Sequence, residues 1–192
     1  YLENEKVLVK ERVKKNYRLD EIDSFLRKFR TRREVKLLRE ARKIGVCTPT
    51  IFEVDEKNGI IKMEFVDGIL LKNYLEKEEK EKIEEVCVKV GRAIGKMHSF
   101  NLIHGDPTTS NMILKDGKIY FIDFGLGFFS NRIEDKAVDL RLLHDSINAT
   151  HPKILEICWR NIIKGYKAEF KNAKEVLDRF EEIKKRVRYA KR

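Results

Sequence analysis

The sequence lacks the features by which several protein classes are recognised. Its 192 residues include three cysteines, and Cys47, Cys87 and Cys158 are scattered without a CxxC pair. This pattern argues against a disulfide framework or a zinc site and is typical of a reducing compartment, so we expect a cytoplasmic protein. No apolar run approaches the roughly 18 residues that span a bilayer and no signal peptide is visible, so we expect no membrane association.

Acidic residues are in deficit at both ends of the chain. Residues 1–43 carry a net charge of +7, and the last ten residues, IKKRVRYAKR, carry six basic residues and no acidic one. Because the total is +10, the residues between these ends are mildly acidic. Basic ends indicate an anionic partner, with nucleic acid as the first candidate, although a charge-rich solvated surface explains the composition equally well.

What the chain does have is a pattern of short strands followed by long helices. Residues 6–13 alternate apolar and polar positions and predict a strand, while 49–55 and 60–66 predict a hairpin around a short turn. Residues 20–44 predict one helix or two, ended by Gly45. One predicted apolar face of this segment consists of Ile22, Phe25, Leu26 and Phe29.

The second part of the chain is predicted to be mainly helical. The pattern indicates a helix over 78–100, a hairpin over 111–125, and further helices from about residue 135 to the end. This order favours a small α+β fold of two lobes. The predicted division is an N-terminal β-sheet lobe with helices (1–66), a crossing or hinge (67–73), and a mainly helical C-terminal lobe with the basic tail (74–192).

A cluster of polar residues flanks the second hairpin. HGDPTTSN, residues 104–111, leads into it, and IDFG, residues 122–125, follows it. Phosphoryl transfer needs a metal on hard oxygen ligands and a group that accepts or orients the proton of the nucleophile. Asp106 and Asn111 can turn toward one point, and the hairpin can return Asp123 to it. We therefore predict a phosphoryl-transfer site, with a plain Asx turn before the proline as the alternative for Asp106.

These motifs resemble the catalytic loop and DFG motif of protein kinases. The match is closer to the small atypical kinase/ATPase subunit of the KEOPS complex, which makes the threonylcarbamoyladenosine modification of tRNA. That likeness rests on TTSN, DFGLG, EDKAVDL, VKERVKKNYR, FRTRRE and GVCTPTIFEVD, and covers nearly the whole chain. It implies a protein-kinase-like fold, ATP and Mg²⁺ as cofactors, and as partners tRNA, the threonylcarbamoyl transferase subunit and other KEOPS subunits.

The resemblance also implies roles for individual residues. It places the catalytic base at Asp106 and the metal ligands at Asn111 and Asp123. It further implies a phosphate-binding lysine with its helix partner, a segment that binds adenine through its backbone, and an aspartate that braces the catalytic loop. These are Lys10 with Glu34, Glu64 with Phe65, and Asp139.

Three of these positions have a purely structural alternative. Lys10 stands in a Lys-rich stretch and can be an ordinary exposed lysine, and Asp139 can be a charge at a helix N-terminus. The segment from Thr31 to Glu34 is typical of a capping box, and a Glu34 bound to the Thr31 amide could not also pair with Lys10. We favour the pair with Lys10.

Three features depart from the kinase pattern. Residues 1–9 contain no glycine, although a Gly-rich loop is expected just before Lys10. Pro107 stands where the family usually has leucine. Only about ten residues separate Gly125 from Asp135, and nothing like APE follows, which leaves little platform for a peptide substrate. This favours ATP hydrolysis, or phosphorylation of a few sites, over broad protein kinase activity.

The basic C-terminal tail predicts a second interaction. Its cations can neutralise phosphates and its tyrosine can stack on an unpaired base. The residues concerned are Lys184, Lys185, Arg186, Arg188, Tyr189, Lys191 and Arg192. A solvated helix end, where cations suit the helix dipole, is the alternative. The family resemblance favours tRNA.

The sequence as a whole predicts a Mg²⁺-dependent atypical serine/threonine kinase or ATPase that acts as a KEOPS subunit in tRNA modification. One alternative is a small-molecule phosphotransferase of the aminoglycoside or choline kinase type, which also carries HGD, an Asn and an IDF motif but usually has a larger acceptor region. Another is a catalytically weak scaffold that binds tRNA and partners. The absence of early glycines favours the scaffold, whereas the intact Asp106, Asn111 and Asp123 argue against it.

Overall fold

A computed structural model describes residues 6–15, 17 and 19–190, with side chains described as far as Arg186. The elements follow in chain order: β1 (Val7–Glu11), α1 (Asp20–Lys43), β2 (Ile51–Asp55), β3 (Ile60–Glu64), β4 (Ile69–Leu70), α2 (Leu71–Leu75), α3 (Lys80–Ser99), β5 (Leu102–Ile103), β6 (Met112–Lys115), β7 (Lys118–Phe121), β8 (Phe128–Phe129), α4 (Ile133–Thr150), α5 (Leu155–Glu169) and α6 (Ala173–Ala190). The predicted long elements are all present. The two-residue strands and α2 were not predicted, because elements this short carry no periodicity.

The first part of the chain is an antiparallel sheet, in the order β1–β3–β2, with α1 packed against it. The apolar cluster between them is small, with Val35, Ile61 and Met63 as its buried members. Strand β1 lies at the sheet edge and its apolar side chains stay exposed, Val7 by 48% and Val9 by 58%. Polar contacts therefore carry much of the attachment of β1 to α1.

Helix α1 is continuous, and this decides one alternative and corrects one prediction. The capping box that was the alternative for Glu34 is absent, because Thr31 is a buried residue in the middle of a helix that begins at Asp20. The predicted apolar face is wrong, because Ile22, Phe25 and Phe29 are each at least half exposed. The 24 residues of α1 span about 36 Å, whereas five-residue strands span about 17 Å. The small sheet cannot cover the whole helix.

The main core is built from α3, α4, α5 and α6 with the β6–β7 hairpin, and the second half of α1 joins it through Leu37, Leu38 and Ala41. Helices α3 and α5 approach so closely that only glycine fits at their crossing. A Cβ on Gly91 would lie 2.0 Å from the Ile162 carbonyl oxygen, and one on Gly165 would lie 2.0 Å from the Val88 carbonyl oxygen. This backbone-to-backbone packing makes the helical part a rigid support.

The β6–β7 hairpin brings the two polar motifs together. Met112 pairs with Phe121 at its open end, and its tight turn uses positive φ at Asp116 (49°) and Gly117 (70°). Both φ values suit a two-residue hairpin turn. The open end therefore holds residues 104–111 beside residues 122–125. In the predicted hinge, β4 pairs with β6. Among the described residues, no helix has the length and apolarity needed to cross a membrane.

Candidate active site

The catalytic-loop residues Asp106 and Asn111 are in direct contact. The Asn111 side-chain amide donates to Asp106 Oδ2 at 2.9 Å and to the Asp106 carbonyl oxygen at 3.0 Å. The Thr108 N–H donates to the same carbonyl at 2.8 Å, across Pro107. Such a bond between residues i and i+2 is an inverse γ-turn, whose central φ of about −75° suits proline. Pro107 thus fixes the turn that presents Asp106.

Asp139, on α4, binds the backbone at the start of the loop formed by residues 104–111. Its carboxylate is buried and accepts the N–H groups of His104 at 3.1 Å and Gly105 at 2.8 Å. It also lies 3.2 Å from His98 Nε2, and His98 Nδ1 lies 2.9 Å from the Tyr166 hydroxyl. The predicted bracing contact is therefore present, and it is anchored in the main core through His98 and Tyr166.

His104 joins the catalytic loop to the strand that leads to Asp123. Its Nε2 lies 3.2 Å from the Ile122 carbonyl oxygen, and the Asp106 N–H donates to its Nδ1 at 3.3 Å. Burial lowers the pKa of His104, so the ring is neutral, with Nε2 as donor and Nδ1 as acceptor. This geometry gives His104 a structural role and leaves no proton for it to exchange at the cleft.

Lys10, Glu34 and Asp123 meet on the opposite side of the site. Lys10 Nζ lies 2.8 Å from Glu34 Oε1 and 2.8 Å from Asp123 Oδ1. The second Glu34 oxygen accepts a hydrogen bond from Arg12, and the Glu34 side chain is only 1% exposed. Of the two arrangements open to Glu34, the structure forms the pair with Lys10.

The Asp123 carboxylate is kept in its charged form. Burial by itself raises its pKa, but the Lys10 ammonium and the Gly125 N–H outweigh burial and lower the pKa below its ordinary value. The Asp123 backbone has a φ of 59°. A non-glycine residue in this region is uncommon, and Asp is among the residues that adopt it most readily. The Asp123 side chain lines the cleft.

Lys10, Glu34, Asn111 and Asp123 line a cleft of about 180 Å³. Lys10, Asn111 and Asp123 form its polar end. The apolar walls are Leu8, Pro49, Met63, Val66, Ile113 and Ile122. One end can thus hold a charged group and the other a flat apolar ring.

The Glu64–Phe65 segment forms the rim of the apolar end. The Phe65 N–H donates to the Lys6 carbonyl oxygen at 2.9 Å, so it is already used. The Glu64 carboxylate is turned away and accepts hydrogen bonds from the Thr50 N–H and hydroxyl at 3.1 Å and 3.0 Å. No described residue accepts a hydrogen bond from the Val66 N–H. Val66, rather than Phe65, presents the free amide of this segment.

The donor set suits Mg²⁺ better than a transition metal. Asp123 and Asn111 offer a carboxylate and an amide oxygen, and the Ile122 N–H fixes them side by side by donating to the Asn111 carbonyl at 3.0 Å. Mg²⁺ is usually held by one or two carboxylates together with substrate phosphates. Within the described residues no cluster of three His, Cys, Asp or Glu side chains could hold a metal alone.

The described residues of the tail do not contribute to the cleft. Lys184, Lys185 and Arg186 are on the last described turns of α6 and none of them lines the cleft. The tail residues whose side chains fall outside the described residues are Arg188, Tyr189, Lys191 and Arg192.

Comparison with known proteins decides the family. A family model described as the RIO domain matches residues 4–127, which include every residue of the cleft. The chain is also 50% identical over 190 residues to the KEOPS complex subunit Bud32 of Pyrococcus abyssi, covering 97% of this chain and 86% of that one. The chain belongs to the RIO-domain and Bud32 families. This confirms the resemblance to the KEOPS subunit seen in the sequence.

Other Bud32-like relatives are longer proteins. The chain is 43% identical to a probable bifunctional tRNA threonylcarbamoyladenosine biosynthesis protein of Methanosarcina acetivorans, over 98% of this chain and 32% of that one. A protein of the same name from Methanothermobacter thermautotrophicus is 41% identical, over 95% of this chain and 33% of that one. The chain thus spans about one third of the length of these bifunctional relatives.

A solved structure supports the fold. The chain resembles WaaP, solved in complex with acyl carrier protein, with a TM-score of 0.59 and 15% identity over 82% of this chain and 76% of that one. At this identity the likeness concerns the fold alone. Together with the RIO domain match, it confirms the predicted small bilobal protein-kinase-like α+β fold.

Several residues of the site were missed from the sequence. Arg12 and Arg33 stand in a basic stretch where no single arginine is distinguished, and their contacts depend on β1 meeting α1. His98 and Tyr166 are far apart in sequence and match ordinary positions on apolar helix faces. Among these residues, only Val66 could have been found from a local pattern, because it directly follows Glu64 and Phe65, the predicted adenine-binding segment.

Proposed function

We propose that this Bud32-family chain is a Mg²⁺-dependent ATPase or atypical serine/threonine kinase that acts as a KEOPS subunit in tRNA modification. The observation that carries the proposal is Lys10 Nζ, which lies 2.8 Å from both Glu34 Oε1 and Asp123 Oδ1 in a cleft shared with Asn111. The names of the relatives support the KEOPS assignment and tRNA threonylcarbamoyladenosine as the modification.

The cleft fits ATP from its apolar end to its polar end. The adenine ring lies against Met63 and Ile113, where the free Val66 N–H and the backbone of Glu64 can bond its edge. The phosphates lie at Lys10. When bound, Mg²⁺ neutralises charge on the phosphate oxygens, and Asp123 and Asn111 are the residues that would hold it.

Asp106 orients the group that attacks the γ-phosphate. Its carboxylate accepts a hydrogen bond from water or a hydroxyl and takes up the proton as the new oxygen–phosphorus bond forms, while the bond from the γ-phosphorus to the β–γ bridging oxygen breaks and ADP leaves with that oxygen. The contact with the Asn111 amide fixes the Asp106 side chain, and the γ-turn at Pro107 fixes its backbone. Lys10 moves from Asp123 to the phosphates and stabilises the charge that spreads over their oxygens.

Water is favoured over a peptide as the attacking group. The segment after Gly125 is short, because α4 begins at Ile133 and β8 is already paired with β5. Ordinary kinases dock peptides on a longer segment, so this chain offers water or a few hydroxyl groups the easiest access. This supports ATP turnover that drives or resets the threonylcarbamoyl transferase partner.

The test compares ATP hydrolysis by the wild type, Asp106→Ala and Asp123→Ala, with and without tRNA and the purified threonylcarbamoyl transferase subunit. We expect turnover that the partner stimulates and that falls roughly 100-fold or more in both variants. Asp116→Asn, in an exposed hairpin turn, is the matched control. Unchanged turnover in both variants contradicts the assigned site and favours a scaffold that binds partners without catalysis.

The basic tail is proposed to bind tRNA, and the cytoplasm remains the location predicted from the cysteine pattern. Truncation after Ile183 removes six cations. We expect a weaker tRNA affinity and a smaller dependence of that affinity on salt, because fewer counterions are released. An unchanged salt dependence contradicts the role of the tail and leaves the ATP site unaffected.

A further inference from the structure

Two arginines beside the cleft have no part in the steps proposed so far. Arg12 lies two residues after Lys10, just beyond the end of β1, and both side chains reach Glu34. Lys10 donates to Glu34 Oε1 and Arg12 Nη2 donates to Glu34 Oε2. Each oxygen of one buried carboxylate therefore has a cation of its own.

Arg33 makes a second connection from the same helix. It precedes Glu34 on α1, and its Nη2 donates to the Gly125 carbonyl oxygen at 3.1 Å. Its guanidinium lies 5.6 Å from the centre of the Phe29 ring, which supports the side chain from the solvent side. Helix α1 is thus tied to β1 through Glu34 and to the backbone after Asp123 through Arg33.

Both arginines are held at a free-energy cost. Arg12 Nη1 and Arg33 Nε are buried, and neither has a hydrogen-bond acceptor in the described part of the chain. Buried donors are nearly always paired, and departures from this rule concentrate at functional sites. The neighbouring Arg32 differs, since it is exposed and bonds to Glu56 through both Nε and Nη2.

The position of Lys10 explains why a second cation is needed. Lys10 touches both Glu34 and Asp123, and in the proposed reaction it shifts from Asp123 toward phosphate oxygens, so it shares its charge between Glu34 and the phosphates. Glu34 is almost fully buried, and a buried carboxylate without a counter-ion is strongly unfavourable. The always-charged Arg12 guanidinium stays on Glu34 while Lys10 moves.

We propose that Arg12 and Arg33 are positioning residues that fix α1 against β1 and Gly125, so that Lys10 is free to serve the phosphates. The arrangement needs no phosphorylated loop, since both contacts come from residues that are permanently charged. This inference rests on the proposed function, because it concerns how Lys10 is delivered to ATP.

The test measures kcat and KM for ATP in Arg12→Met, Arg12→Lys and Arg33→Met, each also combined with Lys10→Met. We expect kcat to fall about 10- to 100-fold in Arg12→Met and about 10-fold in Arg33→Met, with a smaller change in KM. Arg12→Lys recovers part of the loss because it keeps the charge. In the Lys10→Met background, the arginine substitutions lower kcat by less than about threefold, because the residue that they position is gone.

Arg32→Met is the matched control, because Arg32 is the neighbour of Arg33 on α1 and pairs only at the surface. Its kcat stays at the wild-type level. Circular dichroism melting, with and without Mg-ATP, reports folding and nucleotide binding in every variant. If Arg12→Met does not fold, Arg12→Lys and Arg33→Met decide the outcome.

Wild-type kcat in Arg33→Met and in either Arg12 variant overturns the inference. Equal losses in the wild-type and Lys10→Met backgrounds also overturn it, because a purely structural role acts in both. A wild type that shows neither turnover nor a Mg-ATP melting shift contradicts the proposed function itself. The two failures are therefore distinguishable.

Discussion

The two sides of the cleft are held together by different forces. On the side of the β1–β3–β2 sheet, the buried apolar cluster is small, and β1 is attached to α1 mainly by the charged group of Lys10, Glu34 and Arg12, whereas the second half of α1 belongs to the large core. On the helical side, a large apolar core supports the catalytic loop through Asp139 and His98. The first side can adjust its contacts, whereas the second is close-packed and cannot.

This difference matches what the proposed reaction asks of each side. In that proposal Asp106 stays in place for attack on the phosphate, and it is anchored to the close-packed side. Lys10 is proposed to exchange partners when a nucleotide enters and leaves, and it is anchored by charges that can be re-paired. A cleft with one rigid side and one adjustable side can close on its ligand without disturbing the catalytic loop.

The largest expected effect compares equivalent residues of the two sides. Ile94 and Ile61 are both fully buried, Ile94 in the large core and Ile61 in the small cluster. We expect Ile94→Ala to lower the free energy of unfolding by about 4 kcal/mol and Ile61→Ala by about 2 kcal/mol, because the small cluster can collapse around the cavity. Urea unfolding measures both. Equal losses would remove the contrast between the sides.

Asp139→Asn tests the anchor of the catalytic loop. The asparagine side chain has only one oxygen that accepts hydrogen bonds, and its NH₂ group faces an N–H donor in place of the second oxygen. One of the His104 and Gly105 N–H groups therefore loses its acceptor. We expect a loss of about 3 kcal/mol in unfolding free energy and a fall in kcat larger than the change in KM. A stable protein with wild-type kcat would show that the loop holds its shape without this contact.

Gly91→Ala tests the close crossing of α3 and α5. The added Cβ would lie 2.0 Å from the Ile162 carbonyl oxygen, so the helices must separate. We expect a loss of about 2 to 3 kcal/mol by urea unfolding. The control is Gly117→Ala, where a Cβ meets only the end of Lys89 and the positive φ costs about 1 kcal/mol. A smaller loss at Gly91 than at Gly117 would contradict rigid packing at the crossing.

The smallest expected effect is a change of unfolding free energy with pH, which comes from buried histidines on the helical side. Burial lowers the pKa values of His104, His144 and His151. Below their unfolded pKa of about 6.5, the unfolded chain takes up protons that the folded chain cannot accept. Stability should therefore be constant above about pH 6.5 and fall by roughly 1 kcal/mol or more by pH 5.5.

Urea unfolding at pH 7.5, 6.5 and 5.5 measures this dependence. His144→Phe should flatten it, because the phenyl ring keeps the contacts with Trp159 and Phe180 but cannot bind a proton. Stability that rises as the pH falls through this range would show that the buried histidines gain, rather than lose, protons on folding.

The order of the long elements was predictable because each follows from local periodicity. Strand β1, helix α3 and the β6–β7 hairpin alternate or repeat in a way that a short window of sequence contains. Asp106, Asn111 and Asp123 were predictable for a similar reason, since a single hairpin sets their separation. Their catalytic roles and the lobe boundaries remain predictions.

Two local patterns in α1 do not correspond to its structure: the capping box, which was the alternative for Glu34, and the apolar face, which was predicted. Thr31 and Glu34 have the spacing of a capping box, but a helix begins where its first turn is stabilised, and here this is at Asp20. Ile22, Phe25 and Phe29 have the spacing of a buried face, but burial needs a partner surface, and the sheet is too short to supply one.

The sequence by itself determined the α+β class and the hairpin that carries the catalytic loop, because these depend on contacts between neighbours along the chain. It also determined the family, because the motifs that indicate the family are short stretches of sequence. Only the tertiary structure decided that Arg12 shares Glu34 with Lys10, that Arg33 reaches Gly125, and that His98 and Tyr166 support Asp139. These contacts join residues 22 to 92 positions apart. No local pattern encodes them, because they exist only once sheet and helices have packed.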